Sequence, residues 1–209
     1  MSLFLILLGG ELTPTDRLSR QIAGARIIAA DSGIAHAGSL GVEPELWVGD
    51  FDSTTPQMAT RYESVPRQAF PSDKDLTDGE IAIDAALALG AGSILLAGAF
   101  GGARADHAYL HLAAGLRLAE RGIPTLLTDG RQEGCAILQG MTEFGYAPGT
   151  IFSVACFSDL SGLSISGAKW PLDRVEVPFG SSLTLSNEVT GRLEIGLRAG
   201  RAMLIAHPA

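Results

Sequence analysis

The stretch Leu3-Phe4-Leu5-Ile6-Leu7-Leu8 runs without a polar break into Gly9-Gly10. A strand with one wet face alternates; an unbroken apolar run is what a strand covered on both faces requires. This feature points to a parallel sheet layered between helices. It is expected to be a buried first strand and not a signal core, because no basic segment precedes it and no A-x-A-like cleavage site directly follows. It is also far too short to span a bilayer.

The chain keeps that pattern for more than half its length. Further strands are expected at 26–30, 46–48, 67–70, 93–97 and 125–128, with helices at 15–23, 34–40, 55–63, 81–89 and 106–121. Thr77 and Glu80 have the spacing of a capping box at the start of one helix, and Gly90 stops it. Strand–helix alternation of this kind builds a parallel sheet with helices on both faces.

After Asp129-Gly130 the pattern changes. Short strands are expected at 136–138, 151–157, 162–165, 174–177, 183–185, 192–197 and 202–206, separated by turn pairs such as Pro148-Gly149, Phe179-Gly180 and Ala199-Gly200. No helical period is present there. The fold class is therefore α/β, with an N-terminal parallel-sheet domain over 1–130 and a small antiparallel sandwich or barrel over 131–209.

A hydrophobic content of 46% with 18% charged residues describes a globular chain with a sizeable core. The net charge of -8 argues against a nucleic-acid partner, which leaves a basic stripe. Cys135 and Cys156 form neither a CxxC pair nor a disulfide framework, so a reducing cytoplasm is the expected setting. Lysine occurs only at Lys74 and Lys169, so each one invites a functional question.

Aspartates end or follow successive strands: Asp31; Asp50 and Asp52; Asp73, Asp75 and Asp78; then Asp106. In a parallel sheet these ends share one edge, the edge where open α/β sheets bind ligands. Carboxylates gathered in one crevice repel each other and raise each other's pKa unless cations fill the space. Hard oxygen donors suit Mg2+, and Mg2+ carrying a nucleotide's phosphates balances the charge.

Each member also has a plainer role. Asp50-Phe51-Asp52-Ser53 can form an Asx-type turn, Asp75 and Asp78 are favoured by a helix dipole, and Asp106 can be an N-cap. Lys74 can meet a phosphate as a point charge or pair with its neighbouring aspartates. Gly101-Gly102 with Arg104 has the makings of a backbone approach to phosphate plus a guanidinium clamp. His36 and His107 lack HExxH company and read as structural. Walker A and the kinase glycine loop are both missing from the sequence.

Taken in order, these motifs resemble the thiamine pyrophosphokinase family. The matching pieces are Asp31-Ser32-Gly33, Gly49-Asp50-Phe51-Asp52-Ser53, Lys74-Asp75-Leu76-Thr77-Asp78, the loop from Gly98 to His107, Gly167-Ala168-Lys169-Trp170-Pro171-Leu172 and Ser186-Asn187-Glu188. They span nearly the whole chain. Ser32 departs from the family's usual glycine, and the loop from Gly101 to Asp106 is one residue longer than the common form.

The resemblance implies an N-terminal α/β catalytic domain, a C-terminal β-sandwich for thiamine binding and dimerisation, and a homodimer. It implies transfer of the pyrophosphoryl group of ATP to thiamine, giving thiamine diphosphate and AMP. Asp31, Asp50, Asp52, Asp78 and Asp106 would be catalytic, with Asp50, Asp52, Asp75 and Asp78 holding Mg2+. Lys74, Asp75, Thr77, Gly101, Gly102 and Arg104 would bind ATP. Asp106, Trp170, Thr184, Ser186 and Asn187 would bind thiamine. Two competing readings remain from the residues alone. One is a Mg-dependent phosphohydrolase with Asp50 as nucleophile, since Asp50-Phe51-Asp52-Ser53-Thr54 partly imitates D-x-D-x-[TS]. The other is a non-catalytic nucleotide or thiamine sensor.

Overall fold

A computed structural model describes residues 2–52, 54–71, 75–102 and 104–208. The chain divides into two compact units, Met1–Ala114 with Ile123–Gly130, and Gly115–Gly122 with Arg131–Ala209.

The first unit alternates strand and helix: β1 (Ser2–Leu7), α1 (Asp16–Gln21), β2 (Arg26–Ala30), α2 (Ala35–Leu40), β3 (Leu46–Gly49), α3 (Pro56–Arg61), β4 (Arg67–Ala69), α4 (Asp78–Ala88), β5 (Ala91–Ala97), α5 (Ala105–Glu120, counted with the second unit from Gly115 on) and β6 (Thr125–Thr128). Each neighbouring pair is parallel, in the order β6-β5-β1-β2-β3-β4. The unbroken run of β1 is buried from Phe4 onward, which its central place in the sheet explains. Leu5, Leu7, Ala29, Trp47, Leu95 and Ala97 join Leu18 and Ile22 of the α1 region in one core cluster.

The capping box forms as expected. Thr77 Oγ1 accepts from the Glu80 amide at 3.3 Å, and the Thr77 amide donates to Glu80 Oε2 at 3.2 Å. Thr15 and Thr55 cap α1 and α3 in the same manner, each accepting from the amide three residues on.

The order of strands matters for function. The chain runs from β1 through β2 and β3 to β4, then returns to place β5 on the other side of β1. The C-terminal ends of β1 and β5 therefore form a topological switch point, where α/β sheets open a ligand crevice.

The second unit contains β7 (Glu133–Ile137), β8 (Gly140–Phe144), β9 (Ile151–Cys156), β10 (Leu160–Ala168), β11 (Leu172–Val177), β12 (Asn187–Leu197) and β13 (Ala202–His207), all paired antiparallel. One sheet runs β7-β13-β9 and takes in the start of β12; the other joins β8, the rest of β12, β10 and β11. Phe152, Val154 and Leu204 from the first meet Leu163, Ile165, Leu193 and Ile195 from the second in one buried core. This is sandwich packing, with β12 passing from sheet to sheet.

Two local expectations change. Residues 183–185 form a turn, not a strand. Thr184 points in, its hydroxyl donating to the Val154 carbonyl at 2.7 Å, while Leu183 and Leu185 are 59% and 49% exposed. The Leu-Thr-Leu alternation imitates a strand, but its polar member is the buried one. Conversely, β8 has no strand signal because Met141 is exposed and β8 pairs only with β12.

Candidate active site

Asp31 follows β2 and opens a single 3-10 turn, Asp31–Ile34. Its φ of 42° is left-handed, a conformation that costs a non-glycine residue energy and clusters at functional sites. The Trp47 indole N–H, wholly buried on β3, donates to the Asp31 carbonyl at 2.8 Å. Gly49 lets the ends of β2 and β3 approach, since a Cβ there would stand 3.1 Å from Asp31 Cβ.

The turn after β3 is also left-handed, at Phe51 with φ 63°. The Phe51 ring meets Trp47 edge-on at 5.0 Å, and the Asp52 amide donates to Asp50 Oδ1 at 3.2 Å. The Asx turn and the metal reading are thus compatible: the turn is what aims the carboxylates. Asp31, Asp50 and Asp52 each present an oxygen within 4.8 Å of the others. Three anionic oxygens this close are donors that a hard divalent cation could share.

Beside this group lies a cavity of about 310 Å³. It is formed by residues 8–10 after β1, Asp31 and Ser32 after β2, Gly98 after β5, residues 77–79 at the start of α4, and Gly101, Gly102, Arg104, His107 and His111. The cavity therefore opens at the switch point, and Asp31 belongs both to its wall and to the acidic group.

Other expected residues take different places. Asp78, half-buried, begins α4 and lines the cavity; Asp75 is exposed in the bend before it. Neither joins the three-carboxylate group among the described residues. Thr77, Gly101 and Gly102 line the cavity. Lys74, Asp73 and Ser53 lie outside the described residues.

Arg104 lines the cavity and grips Asp106 with two bonds, Nε to Oδ1 at 3.0 Å and Nη2 to Oδ2 at 2.7 Å. The guanidinium holds the Asp106 carboxyl well below the usual carboxylate range. His36 Nε2 contacts the Gly10 carbonyl at 2.8 Å, which fits its structural reading. His111 was not singled out from the sequence, although its spacing of four from His107 places both on one face of α5.

In the second unit, Trp170 is 55% exposed and Lys169 Nζ lies 5.0 Å from its ring centroid. Buried Asn187 grips the Trp170 backbone twice: Oδ1 accepts from its amide at 3.1 Å and Nδ2 donates to its carbonyl at 2.8 Å. The Thr184 hydroxyl is engaged with Val154. Ser186 is exposed with φ 58°, its amide donating to Ser153 Oγ at 3.0 Å. Trp170 and Ser186 thus face solvent, whereas Thr184 and Asn187 hold the framework.

Comparison with known proteins places both units. The family model of the thiamin pyrophosphokinase catalytic domain matches residues 22–127, and that of the thiamin pyrophosphokinase vitamin B1 binding domain matches 142–201. The chain belongs to the thiamin pyrophosphokinase family.

A thiamine pyrophosphokinase of Bacillus subtilis (strain 168) is 30% identical over 170 residues, covering 78% of this chain and 77% of that one. A crystal structure of the Bacillus subtilis thiamine pyrophosphokinase superposes with a TM-score of 0.85 at 27% identity, over 99% of each chain. The thiamin pyrophosphokinase of Candida albicans shares the fold at 16% identity, with a TM-score of 0.83 over 100% of this chain and 89% of that one. Neither family match is to a phosphohydrolase, so the reading of Asp50 as a nucleophile has no support.

Proposed function

We propose that this chain is a thiamine diphosphokinase, moving the pyrophosphoryl group of ATP onto the hydroxyl of thiamine to give thiamine diphosphate and AMP. The observation that carries the reading is the convergence of Asp31, Asp50 and Asp52 beside a cavity at the switch point. Residues 1–130 would bind ATP and metal, and 131–209 thiamine and a second subunit.

The donor set fits Mg2+, which supplies charge neutralisation for the phosphates when bound. The residues of the chain then divide the remaining work. The start of α4 and Gly101-Gly102, which line the cavity, would offer backbone amides to phosphate, the helix dipole favouring negative charge there. Phosphoryl transfer depends on in-line positioning and charge stabilisation more than on a strong base. Asp31, on the cavity wall, is better placed to take the alcohol proton than Asp106, whose carboxylate Arg104 already holds. In the same reading Lys74 and Arg104 would contact the nucleotide's phosphates, and Asp75 and Asp78 would act on them through Mg2+. Trp170 offers a flat face to a cationic aromatic ring.

Exposed Trp170, Leu183 and Leu185 support a homodimer built on the second unit, which sedimentation equilibrium would detect. No described helix is long and apolar enough to cross a membrane. Cys135 and Cys156 form no disulfide with each other, which supports the reducing cytoplasm proposed here.

Incubation with ATP, Mg2+ and thiamine tests the reaction. Equimolar AMP and thiamine diphosphate are expected; inorganic phosphate as the only product would overturn the reading.

A further inference from the structure

His111 has one ring nitrogen committed and one open. Nδ1 lies 3.3 Å from the Ala99 carbonyl, which can only accept, so that nitrogen carries the proton. Burial pushes the imidazole's pKa below its ordinary value, and His107 alongside adds to the effect against the opposing pull of the Ala99 carbonyl and Glu80. The ring is therefore neutral at physiological pH, and Nε2 presents a lone pair.

Gly79 is the near neighbour of that nitrogen. A Cβ at Gly79 would stand 3.6 Å from His111 Nε2 and 3.1 Å from Leu8 Cδ2. Gly79, in the first turn of α4, and His111 line the same cavity. His107 packs edge-on against the ring, centroids 6.3 Å apart at 86°, which restricts its rotation.

We infer that His111 is a specificity-determining residue, its Nε2 accepting a hydrogen bond from an O–H or N–H of the nucleoside part of the bound nucleotide. The inference rests on the pyrophosphotransferase reading for the presence of a nucleotide in this cavity. Phosphates offer only acceptors at neutral pH, so this lone pair cannot serve them. Thiamine's hydroxyl also reaches this cavity in that reading, but its proton is assigned to Asp31 on the wall, which leaves the nucleoside as the donor to His111. A ribose hydroxyl and a base amine share the required chemistry.

Calorimetric binding to the full-length protein separates the sources. The ligands are ATP, 2′-deoxy-ATP, 3′-deoxy-ATP, purine riboside triphosphate (which lacks the exocyclic amine) and inorganic triphosphate. His111→Phe, which keeps ring volume without an acceptor, is expected to weaken ATP binding about threefold to tenfold, the range of one net hydrogen bond. His111→Gln, which keeps an acceptor, should recover most of it. The analogue lacking the recognised donor should bind wild type and His111→Phe alike, and inorganic triphosphate should not distinguish them.

Equal weakening of every nucleotide by His111→Phe would overturn the assignment, as would a loss confined to inorganic triphosphate and ATP together. If His111→Phe does not fold, wild-type protein binding all the analogues as tightly as ATP overturns it instead. Failure to form AMP from ATP and thiamine while ATP still binds would sink the transfer reaction and leave the binding test of His111 intact.

Discussion

The Trp47 indole N–H donates to the Asp31 carbonyl at 2.8 Å, tying the buried centre of β3 to the strained end of β2. The same indole packs edge-on against Phe51, so one side chain braces both left-handed residues that frame the acidic group. Trp47→Phe is expected to cost about 1–3 kcal/mol, from the lost hydrogen bond to the part-buried Asp31 carbonyl and the volume lost from the core. Urea unfolding measures that loss, and Mn2+ titration should show weaker metal binding. Lower stability with undiminished Mn2+ affinity would reduce Trp47 to a core residue.

Crowded carboxylates make a distinctive prediction for Asp50→Asn and Asp52→Asn. Removing one charge relieves repulsion in the metal-free protein, so its Tm should hold or rise. The stabilisation gained on adding Mg2+, which follows from binding the folded state alone, should shrink. Turnover should fall by about 100-fold or more, the scale of losing a preorganised electrostatic group. Full activity in either folded variant would remove the pair from the metal site.

Arg104 and Asp106 make a pH-dependent pair. The depressed carboxyl of Asp106 means the folded state prefers it charged. Its contribution is therefore present above the unfolded carboxylate value of about 3.9 and is lost as pH falls through the lower folded value. NMR titration should find Asp106 still ionised where ordinary carboxylates are protonated, and Arg104→Met should raise it toward the usual range, the backbone amides of Asp106 and His107 still favouring the charged form. Because both side chains are 65% exposed, solvent screens the pair and thermal stability should change little.

Asn187→Ala removes two bonds that position the Trp170 backbone. We expect a stability loss of about 1–3 kcal/mol from the groups left unpaired. If Trp170 forms part of the thiamine pocket, KM for thiamine should rise several-fold with a smaller change in kcat. A perturbed Trp170 fluorescence signal with unchanged thiamine KM would take this side chain out of the pocket.

Some of this molecule was legible in one dimension. The unbroken run of β1, the Thr77–Glu80 capping box and the aspartates at strand ends are local signals. Burial on both faces, a helix start and a polar strand terminus are each decided by residues within a few positions of one another. They were enough for an α/β class with an antiparallel second half. Tertiary structure decided which aspartates meet. Asp31 joins Asp50 and Asp52 because β2 and β3 are neighbours, whereas Asp75 and Asp78 arrive on a different connection. It also turns Leu183 and Leu185 outward and brings His111 up against Gly79 at the cavity wall. These outcomes depend on strand order and on which surfaces approach in space, and no local pattern of residue types contains that information.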